Sequence, residues 1–155
     1  LRWSREALLD EFTLRPATAD DFPNIRALIH HVGINPTGLD WRRFWVAEMP
    51  DGQFAGCGQI KVHGDQSREL ASIAVAESFR GRGIARSIIQ KLAQNAEKPL
   101  FLTCRAGLQP FYEKFGFVII PTEEMPRYFA RITKLTGVLN AVHLMKEKII
   151  VMRLD

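Results

Sequence analysis

Glu69 to Ile89 read as a strand, a tight basic turn containing two glycines, and the opening turns of an amphipathic helix. Gly81 and Gly83 can take backbone dihedrals closed to other residues, and they let the main chain approach a ligand. Several N–H groups can therefore converge on one anion. The helix that starts there adds its unpaired N-terminal N–H groups and the positive end of its dipole. Arg80, Arg82 and Arg86 bring further positive charge to the same corner. The chemistry this suits is the binding of a pyrophosphate, as in a dinucleotide or a coenzyme A tail. A metal does not suit it, because the segment has no cluster of ligating side chains.

Periodicity supplies the elements that must hold this turn. Ile84, Ala85, Ile88, Ile89, Leu92, Ala93 and Ala96 form one apolar stripe, with Arg86, Gln90, Lys91, Gln94 and Glu97 facing away. Pro99 ends that helix, and Leu100 to Cys104 reads as an inner strand, apolar on both faces. Leu108, Phe111, Tyr112 and Phe115 recur at helix spacing, with Pro110 in the first turn and Gly116 as the stop. Phe117 to Ile120 reads as a strand. Upstream, Phe12 to Arg15 alternates as a strand, and Thr18 to Asp21 opens a helix whose inner face is Ile25, Leu28 and Ile29. Leu39 to Phe44 reads as another short helix. Trp45–Glu48 and Phe54–Val62 flank a hairpin connection.

Residues 1 to 10 read as a short helical extension. Tyr128 to Leu135 and Val138 to Met145 read as helices on either side of Gly137, and Ile149 to Leu154 closes the chain as a strand. Strand and helix alternate from residue 69, which implies right-handed crossovers and some parallel pairing. The expected fold class is α/β, a mixed sheet of six to seven strands flanked by helices.

At 155 residues one domain spanning 1–155 is expected. With 46% hydrophobic residues and no apolar run near the roughly 20 residues of a membrane span, the chain does not read as a membrane protein. The segment Leu1–Glu6 has no apolar core of signal-peptide length and does not begin with Met, so the start is expected to be trimmed or preceded by further residues. Cys57 and Cys104 each lie in an apolar strand, away from metal or redox spacing, and read as buried free thiols suited to a reducing cytoplasm. Residues 61–120 hold nine Lys/Arg against five Asp/Glu, which puts the positive excess around the glycine turn. A polyphosphate ligand explains this better than nucleic acid, which calls for a basic stripe interleaved with aromatics.

Two blocks, Arg80-Gly81-Arg82-Gly83-Ile84-Ala85 after a strand and Phe111-Tyr112-Glu113-Lys114-Phe115-Gly116-Phe117 about thirty residues on, resemble signatures of the GNAT superfamily of N-acetyltransferases. The order of elements from Phe12 onward agrees with it. The chain departs from the family pattern at Arg105 and Leu108, where relatives often carry Asn and Ala before the second block. The resemblance implies acetyl-CoA as donor, without a metal, its pyrophosphate resting on the N–H groups of residues 81 to 86, with Arg80 and Arg82 in the same turn. It also implies that two parallel strands, 70–75 and 100–104, splay apart to admit the donor. The pantetheine would pair with Ile73, Ala74 and Val75 as an added strand, and the thioester carbonyl would meet a free N–H near Val75.

A lysine-like amine of pKa about 10.4 is only about one part in 2,500 neutral at pH 7, a penalty of roughly 4.6 kcal/mol. A base must take its proton. Glu69 at the start of the strand is the candidate, acting through water as the corresponding acidic residue does in many relatives. Tyr112 is the candidate acid for the departing thiolate. Direct transfer is implied, without a covalent enzyme intermediate at Cys104.

The plainer readings stay beside these: Glu69 as a solvated charge, with Glu48 and His63 as rival bases; Tyr112 as a core aromatic; His30 and His31 as ordinary helix-end residues; Trp41, Phe44 and Trp45 as core. Segment 121–148 either borders the acceptor groove or makes a homodimer. The functional expectation is acetyl transfer to a primary amine of a small molecule or peptide. The alternative is a silent acyl-CoA-binding sensor. A dinucleotide-binding reading is weaker, because no acidic residue follows the helix where one would hold a ribose.

Overall fold

The computed structural model describes residues 11–142 and 147–155, so the expected helix over residues 1–10 and the end of the one reaching Met145 lie outside the described residues. Seven strands form one sheet in the order β1-β2-β3-β4-β5-β7-β6, with β1 Thr13–Pro16, β2 Phe44–Glu48, β3 Phe54–Val62, β4 Arg68–Val75, β5 Leu100–Arg105, β6 Val118–Ile119 and β7 Ile149–Leu154. The α-helices are α1 Phe22–Val32, α2 Ile84–Asn95, α3 Gln109–Glu113 and α4 Arg127–Ala141. β4 and β5 run parallel, whereas β1–β2, β2–β3, β5–β7 and β6–β7 are antiparallel. The expected mixed α/β class is the observed one.

The chain divides into two compact units, one made of residues up to Ile60 with Ser72–Asn95, the other of Lys61–Ala71 with Ala96–Asp155. In the first, α1 buries Ile25, Leu28 and Ile29 with Phe44, Val46, Cys57 and Ala74. α2 buries Ile84, Ile88, Ile89 and Leu92, the stripe its spacing foretells. Gly56 and Gly58 make room for it on β3. A Cβ added at Gly58 would lie 2.7 Å from Ile88 Cγ2 and 3.1 Å from Leu92 Cδ1. One at Gly56 would lie 2.8 Å from the main-chain oxygen of Ala74, which cannot swing away as a side chain can. Gly56→Ala is therefore expected to cost about 2 kcal/mol by overpacking, read as a lower urea midpoint.

In the second unit β5 pairs with β7 along its whole length, from Leu100↔Leu154 to Arg105↔Ile149. Leu100, Phe101 and Leu102 are all buried, as an inner strand covered on both sides requires. Phe101, Ile120, Phe129 and Val151 form its core, bordered by Met125 just ahead of α4 and Tyr128 in its first turn.

Three details differ from the sequence reading. Leu39–Phe44 holds only a 3₁₀ turn, Trp41–Arg43, because Phe44 pairs with Gln59 as the first residue of β2. Gly137 does not divide two helices; α4 runs through it, at a cost of about 1 kcal/mol relative to alanine that a long helix absorbs. Strand 117–120 shrinks to the two residues of β6.

Candidate active site

The basic turn links β4 to α2 through a 3₁₀ turn, Glu77–Phe79. Gly81 and Gly83 sit at φ +80° and +79°, and a Cβ on either would meet nothing within 4 Å. They are glycines for their dihedrals, in open surroundings. α2 takes its first carbonyl from Gly83, which accepts from the Ser87 N–H at 3.0 Å. Among the described residues no protein group accepts a hydrogen bond from the N–H groups of Gly81 to Arg86. Those donors, including Ile84 and Ala85 in the first turn of the helix, are available to an anion. Two of the arginines are engaged: Arg80 donates from Nε to the Val75 carbonyl at 3.4 Å, and Arg82 pairs with Glu11 at 3.3 Å and lies over the Phe79 ring. Arg86 is exposed on α2.

The parallel ladder of β4 with β5 comprises two pairs, Arg68↔Leu100 and Glu69↔Phe101, and Ile73, Ala74 and Val75 come after it in the strand. Between them Ser72 has φ +59°, in the left-handed region that a non-glycine residue seldom enters. Its hydroxyl is held by the fully buried Gln59, whose Nε2 donates to Ser72 Oγ at 2.8 Å and to the Gly38 carbonyl at 3.3 Å. No local signal marks this left-handed residue within β4, since Ser72 sits in an unbroken β pattern.

Glu69 is 5% exposed, so it is no solvated surface charge. Burial raises its carboxyl to about 7, against the opposing pull of Lys61, itself buried in the same unit. Its Oε1 lies 3.4 Å from His63 Nε2. The His63 ring is stacked on Tyr128, centroids 3.4 Å apart and planes 12° apart, with the Phe129 ring edge-on. Asp65, in the connection between β3 and β4, accepts from the Tyr128 N–H at 2.9 Å and from Ser67 through both N–H and hydroxyl. These bonds hold Asp65 down at about 2, so it stays an anion. The structure thus brings together two of the candidate bases, Glu69 and His63. Glu48 is occupied by Arg15 at 2.8 Å, in a cluster that also ties Arg15 to Asp21.

Tyr112 on α3 packs edge-on against Phe111 and Phe117. Burial, and then the neighbouring Cys104, push its hydroxyl up to about 12, so it remains a proton donor at any working pH. Cys104 is raised to about 11 by burial, and Cys57 to about 12. Neither is an effective thiolate near neutrality. His30 and His31 occupy the last turn of α1, and Phe44 is core. The two departures from the motif are exposed: Arg105 faces Glu147 at 3.6 Å, and Leu108 is exposed beside Gln109. Among the described residues no group of three or more His, Cys, Asp or Glu is placed to hold a metal, and no helix is long and apolar enough to cross a membrane.

An unclaimed amide run at a strand-to-helix turn, beside a strand whose parallel ladder is short, meets a known family. The chain belongs to the acetyltransferase (GNAT) domain family, whose model matches residues 40–119, just over half of it. It is 33% identical over 91 residues to an N-acetyltransferase of Chlorobaculum tepidum, CT2212, covering 56% of each chain. It is 39% identical over 57 residues to an amino-acid acetyltransferase of Mycobacterium tuberculosis, covering 36% of this chain and 33% of that one. The chain thus spans from a third to little more than half the length of these curated relatives. Its fold is similar to that of Rv2747 from M. tuberculosis, solved in complex with CoA, at TM-score 0.68 and 23% identity, covering 92% of this chain and 99% of that one. N-acetylglutamate synthase from Neisseria gonorrhoeae, complexed with coenzyme A and N-acetyl-glutamate, also gives 0.68, at 22% identity over 93% of this chain and 35% of that one.

Proposed function

We propose that residues 1–155 form one N-acetyltransferase domain that moves an acetyl group from acetyl-CoA to a primary amine, by direct attack on the thioester. The observation that carries this reading is the set of N–H groups from Gly81 to Arg86 that no protein group among the described residues has claimed. They would take the diphosphate, assisted by the charge of Arg80, Arg82 and Arg86. Ile73, Ala74 and Val75, past the end of the short parallel ladder, would pair with the pantetheine. Glu69, titrating near 7, suits removal of a proton from an ammonium at neutral pH. The names of the relatives favour the amine of an amino acid or similar small molecule as acceptor. Two buried free thiols suit a reducing cytoplasm.

The direct test is CoA thiol release from acetyl-CoA with a panel of amino acids, polyamines and peptides. Release that depends on the amine is expected. Tight coenzyme binding with no release by any amine would favour a sensor instead. Tyr112→Phe is expected to lower kcat about tenfold to a hundredfold, with little change in the acetyl-CoA KM. The effect sits at or below the low end for acid catalysis because a thiolate of pKa about 8.5 can depart without full protonation.

A further inference from the structure

Beyond its first acceptor, the amine's proton needs a route to water, because Glu69 is buried. We infer that His63 is a second proton carrier, which takes the proton from Glu69 and delivers it to solvent at the exposed connection between β3 and β4, with Tyr128 and Asp65 as positioning residues. This rests on the acetyltransferase reading and deepens it.

The geometry lies within one compact unit. His63 Nε2 is 3.4 Å from Glu69 Oε1, a separation that a small ring shift closes to a hydrogen bond. His63 opens the connection whose next residues, Gly64, Asp65 and Gln66, are exposed, and its own side chain is 11% exposed. Each neighbouring element contributes a group that faces the pair. From β3, Lys61 opposes the protonated state of Glu69 and so favours passing the proton on. From the connection, the carboxylate of Asp65 acts electrostatically on His63 and favours the imidazolium. From α4, the Tyr128 ring stacks on the imidazole and the Phe129 ring packs edge-on to both on the same side, which fixes the plane of the imidazole beside Glu69. The bond from the Tyr128 N–H to Asp65 fastens the start of α4 to the same connection.

The step balances without a co-reactant. Glu69 takes a proton from the substrate ammonium, the freed electron pair bonds to the acetyl carbon, the C–S bond breaks, and the thiolate takes the Tyr112 proton, which the nitrogen's remaining acidic N–H replaces. The ammonium's proton passes from the Glu69 carboxyl to His63 Nε2, and the imidazolium gives a proton to water or buffer, which returns both groups to their starting charges.

His63→Gln, which retains a polar side chain of similar reach, is expected to lower kcat by about tenfold or more in dilute buffer, and added imidazole is expected to restore a large part of it. Tyr128→Ala, which removes the stacked ring, should behave like His63→Gln, whereas Tyr128→Phe, which keeps it, should recover most of the lost kcat. A second readout is independent of turnover. The ¹⁵N-imidazole titration of His63 should move about one pH unit lower in Glu69→Gln, because an opposite charge has been removed. A His63→Gln protein with wild-type kcat in dilute buffer, a loss that imidazole does not rescue, or a titration unmoved by Glu69→Gln would each overturn the relay alone. A wild-type protein that releases no CoA with any amine would overturn the acetyltransferase reading and the relay together.

Discussion

Replacing Glu69 by glutamine is expected to lower kcat/KM by about a thousandfold at neutral pH, within the range for losing a general base. The wild-type profile of kcat/KM should rise with pH through a limb near 7, where the buried carboxyl ionises. In Glu69→Gln that limb should vanish, leaving only the rise set by the amine's own titration, near 10.4 for a lysine-like acceptor. Stability supplies an independent check, and its sign is fixed. Burial raises the carboxyl from 4.5 to about 7 in the folded chain, so the folded state binds more protons between those values. Wild-type stability should fall as pH rises from about 4.5 to 7 through this group, and the fall should be absent in Glu69→Gln. Urea midpoints at pH 5 and pH 8, beside pH–rate profiles of both proteins, decide the matter. A mutant that keeps the limb near 7 would remove Glu69 from the chemistry.

The double substitution Gly81→Val, Gly83→Val is expected to weaken coenzyme A binding by a hundredfold or more while leaving a folded protein. Both glycines lie near φ +80°, where a side chain costs about 1 to 2 kcal/mol. No neighbour within 4 Å would clash with a Cβ, so packing adds nothing to that cost. Binding suffers more, because β-branched residues move the turn away from +80° and dismantle the alignment of several amides on one anion, where charge-assisted bonds contribute about 1.5 to 3 kcal/mol each. Gly56→Ala should show the reverse pattern, a lower urea midpoint with a smaller effect on binding. Calorimetric titration with coenzyme A and a thermal melt on each variant separate the two kinds of glycine. Coenzyme binding unchanged in the double variant would mean that the turn is only a connection.

The parts of this site that are local in sequence could be read from it. The turn at Gly81 and Gly83 and the stripe Ile84, Ile88, Ile89, Leu92 are written in neighbouring residues, and each is found where its pattern places it. Tyr112 is likewise found on its short helix among aromatics. What was not legible depends on contacts across the chain. His63 and Tyr128 are 65 positions apart, and nothing local says that their rings stack. One signal was present. Cys57, Gln59 and Lys61 share one face of β3 by alternation, with His63 at the same parity just past its end, and polar residues continuing the buried parity of Cys57 point to a polar interior. Glu48 illustrates the opposite failure. Its carboxylate reads as a rival base, and nothing local shows that Arg15, 33 residues away, pairs with it.

The central claim is that main-chain N–H groups of residues 81 to 86 hold the diphosphate of acetyl-CoA. A ¹H–¹⁵N titration with coenzyme A tests it most directly. The account predicts that the amide resonances of Gly81 to Arg86 shift together and saturate with one affinity, and that the Gly81→Val, Gly83→Val protein loses those shifts. Saturable binding that leaves these six amides unmoved would contradict it.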